Sequence, residues 1–497
     1  MIRRGLTGSV LVLLGGLVVS TLPGSAPVLA FAPLAVLRQT QPGRMAGLAV
    51  VLMGLGLLAS AWLALCRHVA RLGSGDWDEG VDLTRMATVV WSAPLLVAPP
   101  LFSRDGWSYA AQGALAAAGY SPYHHGPQAL VGNENWIYAP LEPHIAPIVQ
   151  AVDPMWMNTV TPYGPLPVFF GRVAAGLTGN PWVLVVAHRM LALVGLALLA
   201  WAVPRMARWA GTNPALAAGL VLVSPLMIAN GVGGLHNDLL MVGLMAAALV
   251  VGVERGWAWG GMVGGLAAAV KVPGGLVCVG IALATLPVAA TMGRRLWHLA
   301  RVGAAALATL FGLGLVTGMG SGWIAALAVP GELNTPLSVT TLVGGALDWV
   351  ALHTGLGTPP DAFRDVVRVI GMVAAVGIIA WTALRFPTGD RARAVAAVAC
   401  AGGAFVALAP VVHLWYLLLV PAFVAPLRLS RAAMSGLVVG SVVLGLVAPL
   451  DSSLHGAYQA IVLGCTTVAV LVPVLLLTRR SRARLRQIAE RRLTPAA

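Results

Sequence analysis

The chain has 497 residues, 58% of them hydrophobic and only 10% charged, with a mean hydropathy of +0.85 and a net charge of +14. Soluble domains run about 45–50% apolar and about 25% charged, so a soluble fold, a disordered chain, a basic nucleic-acid-binding domain and a disulfide-built scaffold are excluded together. What remains is an all-α polytopic membrane protein whose basic excess belongs to cytoplasmic loops, not to nucleic acid.

Apolar segments of bilayer length predict fourteen spans, near residues 5–23, 45–66, 84–102, 181–203, 213–231, 236–254, 257–270, 273–290, 299–319, 366–386, 394–410, 412–427, 432–450 and 457–478. Placing Arg3 and Arg4 in the cytoplasm puts 23 of the 31 basic residues and seven of the 17 acids on the inner face. That asymmetry predicts a plasma-membrane protein with both termini cytoplasmic and a basic tail over 479–497. The chain reads as one integral membrane domain, 1–497, with two long extracytoplasmic connections, 103–180 and 320–365. Cys66, Cys278, Cys400 and Cys465 sit in apolar stretches without metal-ligand spacing. There is no P-loop and no glycine-rich nucleotide fingerprint, so chemistry is expected outside, without direct nucleotide hydrolysis.

The first long connection opens FSRDGWSYAAQGALAAAGYSPYHHG. Asp105 stands where a helix leaves the membrane, and an apolar-periodic stretch to about Ala118 reads as interfacial. Five of the seven tyrosines (Tyr109, Tyr120, Tyr123, Tyr138, Tyr163) share this connection with Trp107, Trp136 and Trp156. Their rings suit a sugar or a membrane-interface belt. Asp105 fits a general base, or a helix cap or partner for Arg104. His124, His125 and His144 have no carboxylate at metal-like spacing and read as solvated loop histidines. TPYGPLPVFFG, Thr161–Gly171, reads as a stiff, non-helical return into the membrane.

Further along, Arg189 lies ~12 Å inside the fourth span at ~1.5 Å per residue. A buried cation there calls for a partner, and a lipid-borne phosphate would serve. GVGGLHNDLLMVG opens the sixth span; His236 or Asn237 fits a helix cap and Asp238 complements the dipole, or His236 and Asp238 face an outer pocket and hold an acceptor hydroxyl. Lys271, the only lysine, sits at the outer tip of a tight hairpin, as a snorkelling cation or a second phosphate ligand beside Arg189. His413, Trp415 and Tyr416 begin the twelfth span at the same surface.

Taken in order, DGWSYAAQG, GYSPY, TPYGPL, GLHNDLL and KVPGG resemble motifs of the GT-C glycosyltransferases, and more closely of the actinobacterial polyprenyl-phosphomannose-dependent α-1,6-mannosyltransferases of lipomannan synthesis, over about residues 85–430. The resemblance implies a GT-C-type bundle with a large first catalytic loop. It implies a polyprenyl-phosphate-mannose donor, a lipid-anchored mannan acceptor outside the membrane, and a catalytic carboxylate at the position of Asp105. The expected roles are then base for Asp105, donor-phosphate ligands for Arg189 and Lys271, and a sugar or outer shell of His236, Asn237, Asp238, Tyr163, Trp107, Tyr109 and His413. This segment has a lone Asp in place of a DxD pair, so no metal or other cofactor is expected. A transporter or flippase for a lipid-linked sugar is the competing expectation: it explains the spans and Arg189, but not the large aromatic outer loop, and no matching broken-helix repeats are evident.

Overall fold

The structure, a computed structural model, describes residues 1–131, 146–450 and six positions between 479 and 487. The expected fourteenth span, most of the basic tail, and Trp136, Tyr138 and His144 lie outside the described residues. Within them every regular element is a helix. Seven are long and apolar enough to cross a bilayer: Ile2–Val19, Gln41–Val69, Pro181–Trp209, Asn237–Arg255, Met292–Val316, Ala362–Arg385 and Arg391–Leu408. A bent pair adds an eighth if counted as one span, and five shorter apolar helices complete the bundle.

Small residues allow the first two long helices to touch. A Cβ on Gly8 would meet the Gly54 carbonyl oxygen at 2.7 Å, and one on Gly15 the Gly47 oxygen at 2.6 Å. Glycines seven apart on each helix form one stripe, the close-contact packing that membrane helices favour in the absence of a hydrophobic drive between them.

Proline explains several departures from the expected spans. The third span was expected at 84–102; the helix is Trp77–Ser92, and Pro94, lacking an N–H, turns the chain into a 3-10 segment, Ala93–Val97. The fifth, expected at 213–231, is broken at Ser224–Pro225 into Pro214–Leu222 and a π-turn, Met227–Gly233, bent by 58°. The stretch expected to be a non-helical return, Thr161–Gly171, instead contains the start of a 13-residue helix, Pro165–Leu177. Pro165 and Pro167 fall in its first turn, where no intrahelical N–H is needed. The twelfth segment is a 3-10 turn, Leu414–Leu418, followed by a short helix, Leu419–Val424.

The second long connection is largely helical too. Val339–Thr354 packs against Ala362–Arg385, with Asp348 accepting from the Phe363 and Arg364 amides at 2.9 and 3.0 Å. The stretch after Asp105 was expected to lie along the interface. It is a helix, Asp105–Ala117, buried along nearly its whole length, with Gly113 against the Gly171 backbone.

Candidate active site

Two segments with unusual backbones meet at one end of the bundle. Phe102 and Leu235 both adopt positive φ, 64° and 60°, a costly conformation for residues with large side chains. Phe102 lies three residues before Asp105, and Leu235 directly precedes His236. The Leu101 amide donates to the Gly233 carbonyl at 3.0 Å, lacing the two segments together.

Arg189 completes the lacing. Its guanidinium is fully buried and donates to Leu96, Ala98 and Pro99 on one segment and to Val232 and Gly233 on the other. Val232 and Gly233 end the π-turn, where carbonyls lack intrahelical donors and carry the negative end of the dipole. The expected donor-phosphate role of Arg189 is therefore corrected. Its partners are five backbone carbonyls, it has no solvent exposure, and it does not reach the cavity.

That cavity, about 470 Å³, is bordered by Ser103, Arg104, Asp105, Ser108, Tyr109, Gln112, Asp153, Trp156, Tyr163, His413, Trp415 and Tyr416. The rest of its wall is largely apolar, with Val329, Leu333, Pro336, Leu337, Val412, Leu414 and Val447 beside Asn334 and Thr335. Arg368 shapes that wall by donating to the Gly331 and Leu333 carbonyls and to Asn334 Oδ1.

Asp105 opens its helix, with its amide donating to Ser103 Oγ at 3.1 Å. Tyr109, one turn on, donates to Asp105 Oδ2 at 3.4 Å, and its hydroxyl also meets that of Tyr163 at 3.3 Å. His236 Nδ1 stands 3.4 Å from the same Asp105 oxygen, an ion-pair distance without the direction of a good hydrogen bond. Burial by itself raises the Asp105 carboxyl. The contact and charge of His236, with the charges of His413 and Lys271, outweigh that and hold it below the ordinary aspartate range. Burial lifts the Tyr109 and Tyr163 phenols well above theirs, helped by neighbouring negative charge, so both remain donors.

Lys271 lies at the hairpin break, as expected, and is the N-cap of the 3-10 turn Val272–Leu276. It pairs with Asp238 through both carboxylate oxygens, at 3.0 and 3.2 Å, and its Nζ sits 3.7 Å above the Tyr416 ring. Burial would lower the ammonium; Asp238 and Tyr416 more than offset it and keep the lysine charged. Asp238 is almost inaccessible and Lys271 half-buried, and neither member borders the cavity. Asp238, expected at the acceptor, and Lys271, expected at the donor phosphate, are thus paired with each other against Tyr416.

The remaining expected residues divide. Tyr109, Tyr163 and His413 border the cavity with Asp105. His236, 1% exposed, lies behind Trp415, with ring centroids 3.7 Å apart; His413 stacks on Trp415 at 4.5 Å. Asn237 is the first residue of its helix, buried, with no bond from its side-chain nitrogen. Trp107 does not line a sugar site. It is fully buried and donates to the Thr21 carbonyl at 3.1 Å, which ties the helix Asp105–Ala117 to the segment after the first helix.

Arg104 was read only as a partner for Asp105. It borders the cavity, has no ion pair among the described residues, and its one hydrogen bond is a long 3.5 Å contact to the Val152 carbonyl. Its Nε is buried without a partner. Adjacency to the carboxylate was the only signal available, and it pointed to the wrong partner. Asp153 is a second carboxylate at the rim, but one oxygen caps the Met155 amide at 3.0 Å. Among the described residues, no three His, Cys, Asp or Glu side chains gather as a metal site.

An all-helical bundle with a carboxylate on a cavity of mixed polar and apolar lining defines the class: a polytopic membrane protein with a polar site. The relatives make the class specific. Residues 2–289 match the family model described as alpha-(1->6)-mannopyranosyltransferase, N-terminal domain, and residues 340–479 match the MptB C-terminal domain. The chain is 33% identical over 479 residues to alpha-(1->6)-mannopyranosyltransferase A of Mycobacterium tuberculosis, covering 92% of this chain and 86% of that one. The Corynebacterium glutamicum alpha-(1->6)-mannopyranosyltransferases A and B are 28% and 29% identical, over 77% and 74% of this chain and 80% and 63% of their own lengths. No solved structure matches. The chain belongs to the alpha-(1->6)-mannopyranosyltransferase family.

Proposed function

We propose that this chain transfers mannose from polyprenyl-phosphate mannose to a lipid-anchored mannan acceptor, forming α-1,6 links on the extracytoplasmic side of the plasma membrane. The observation that carries the proposal is the placement of Asp105. It is an acid held ionised by its neighbours, on a cavity lined by both polar and apolar side chains. A sugar phosphate with an isoprenoid tail combines the same two chemistries. The basic bias of the opposite loops supports the outward placement of the site and cytoplasmic placement of the described N-terminus.

In the proposed step Asp105 accepts the proton of an acceptor 6-hydroxyl as its oxygen attacks the mannose anomeric carbon. The bond from that carbon to the phosphate oxygen breaks, and the polyprenyl phosphate leaves with the electron pair. One displacement on a β-linked donor yields an α product. The Tyr109 and Tyr163 hydroxyls orient the carboxylate and the sugar. Arg104 replaces Arg189 and Lys271 as the leaving-phosphate ligand: it is the cation that borders the cavity, and a fixed positive group there stabilises the developing charge. A polyprenyl phosphate is already a competent leaving group, so the scheme calls for no metal or general acid.

The test is elongation of a short mannoside by purified protein in nanodiscs supplied with labelled polyprenyl-phosphate mannose. Asp105→Asn should reduce product formation by about 10²–10⁴-fold, with folded protein recovered in equal amount. Full elongation by that variant removes Asp105 as base. Donor crossing the bilayer without a new glycosidic bond would assign transport instead.

A further inference from the structure

The helix Asp105–Ala117 carries its polar side chains on one face. Apart from Trp107 they are Asp105, Ser108, Tyr109 and Gln112, at i, i+3, i+4 and i+7, and all four border the cavity. The other positions are Ala, Gly and Leu. Asp105 and Tyr109 are bonded to each other. Gln112 stands apart from that pair, ~10 Å along the helix from Asp105 at ~1.5 Å per residue.

Gln112 is 7% exposed, and a buried side-chain amide costs stability unless its groups are bonded. Only half of this one is. The Thr161 hydroxyl donates to Gln112 Oε1 at 2.9 Å and accepts from the Tyr163 amide at 3.4 Å. Thr161 is itself inaccessible, and its amide donates to the Pro122 carbonyl at 2.9 Å. This clamp holds the oxygen of Gln112 and leaves Nε2, which has no partner among the described residues, to face the cavity. Ser108, between Asp105 and Gln112, also has a hydroxyl without a partner. A neutral donor held in one orientation suits a sugar hydroxyl. It offers nothing to an isoprenoid chain and lacks the charge that a phosphate calls for.

Resting on the transfer step above, we propose that Gln112 binds the acceptor sugar next to the one attacked, so that the site prefers a mannan chain over a single mannose. Arg104 precedes Asp105 and Gln112 follows it, so the leaving phosphate and the amide lie on opposite sides of the base along the helix. Displacement with inversion brings the nucleophile in opposite the leaving group. The acceptor therefore enters from the Gln112 side. The separation of Asp105 and Gln112 exceeds one pyranose ring, which puts the amide one sugar further along.

The experiment compares an alkyl α-mannoside with the matching α-1,6-dimannoside as acceptors, using purified protein in nanodiscs and polyprenyl-phosphate mannose as donor. The parent should use the dimannoside at the higher kcat/KM. Gln112→Met, close in volume and without a donor, should cut that preference about ten-fold, with the single mannoside and the donor KM unchanged. Thr161→Val, which frees the amide to turn, should lose part of the preference, and Thr161→Ser, which keeps the hydroxyl, should retain it. Unchanged preference in either Gln112→Met or Thr161→Val overturns the subsite. So does an equal loss with both acceptors, a raised donor KM alone, or a parent without preference. Product from neither acceptor with the parent sinks the transfer reading and the subsite together, whereas the other outcomes leave transfer standing.

Discussion

His236 and Trp415 lie face to face, ring centroids 3.7 Å apart and planes 13° from parallel, and in that pose His236 Nδ1 stands 3.4 Å from Asp105 Oδ2. A residue with almost no exposure thereby sets the charge environment of the carboxylate in the cavity. Stacking fixes the imidazole plane, and the plane decides which ring nitrogen faces Asp105.

This relationship predicts the pH profile. As the proposed base, Asp105 works only when ionised, and its carboxyl lies below the ordinary aspartate range because the lowering by His236 and neighbouring charges exceeds the raising by burial. His236→Phe keeps a ring against Trp415 and removes the nitrogen. With a lowering cause gone, Asp105 takes up its proton at higher pH, so the acid limb of kcat/KM should move upward. An acid limb at the same pH in parent and variant would show that His236 does not act on Asp105.

Arg189 should behave as a structural clasp. Arg189→Met leaves five buried carbonyls without their donor, and each such loss costs about 1–3 kcal/mol. We expect a sharp fall in monodisperse protein recovered from membranes, with Arg189→Lys only partly restoring it, because a single ammonium cannot reach both segments. A stable Arg189→Met protein with a raised KM for the lipid donor would return the residue to phosphate binding.

Lys271 and Asp238 should respond as a pair. Lys271→Met alone strands a nearly inaccessible carboxylate, and breaking a buried ion pair costs about 3–5 kcal/mol. Adding Asp238→Asn should recover most of the thermal stability. A double variant as unstable as the single one would mean that the lysine contributes through its packing on Tyr416.

Gly164 joins the TPYG segment to the KVPGG hairpin. Its amide donates to the Val270 carbonyl at 3.1 Å, and a Cβ would stand 2.3 Å from the Ala269 carbonyl oxygen. Both neighbours are backbone and cannot swing aside, so Gly164→Ala should cost about 1–3 kcal/mol and shift the adjacent Tyr163. The expected readout is a lowered Tm together with a reduced kcat; an unchanged pair of values would show that the loop can relax.

Much of the architecture was legible along the chain. Long apolar runs located the seven full-length helices, since crossing a bilayer demands local hydrophobicity over some twenty residues whatever the neighbours do. Asp105, Tyr109, Tyr163 and His413, found as polar or aromatic residues at one membrane surface, do border one cavity. Shorter elements were less legible: Pro94, Pro225 and Pro165 end, bend and start helices respectively, and only position within the element distinguishes those outcomes.

Composition and periodicity by themselves determined that this is a helical membrane protein with its polar and aromatic residues concentrated towards one end, because those properties depend on each residue's own transfer free energy. Only the tertiary structure decided which partner each charge takes. A buried ion is stabilised by whatever polar atoms packing brings within about 3 Å, and that is a matter of distance between remote segments. Arg189 meets carbonyls, Lys271 meets Asp238, and Arg104 is left at the cavity.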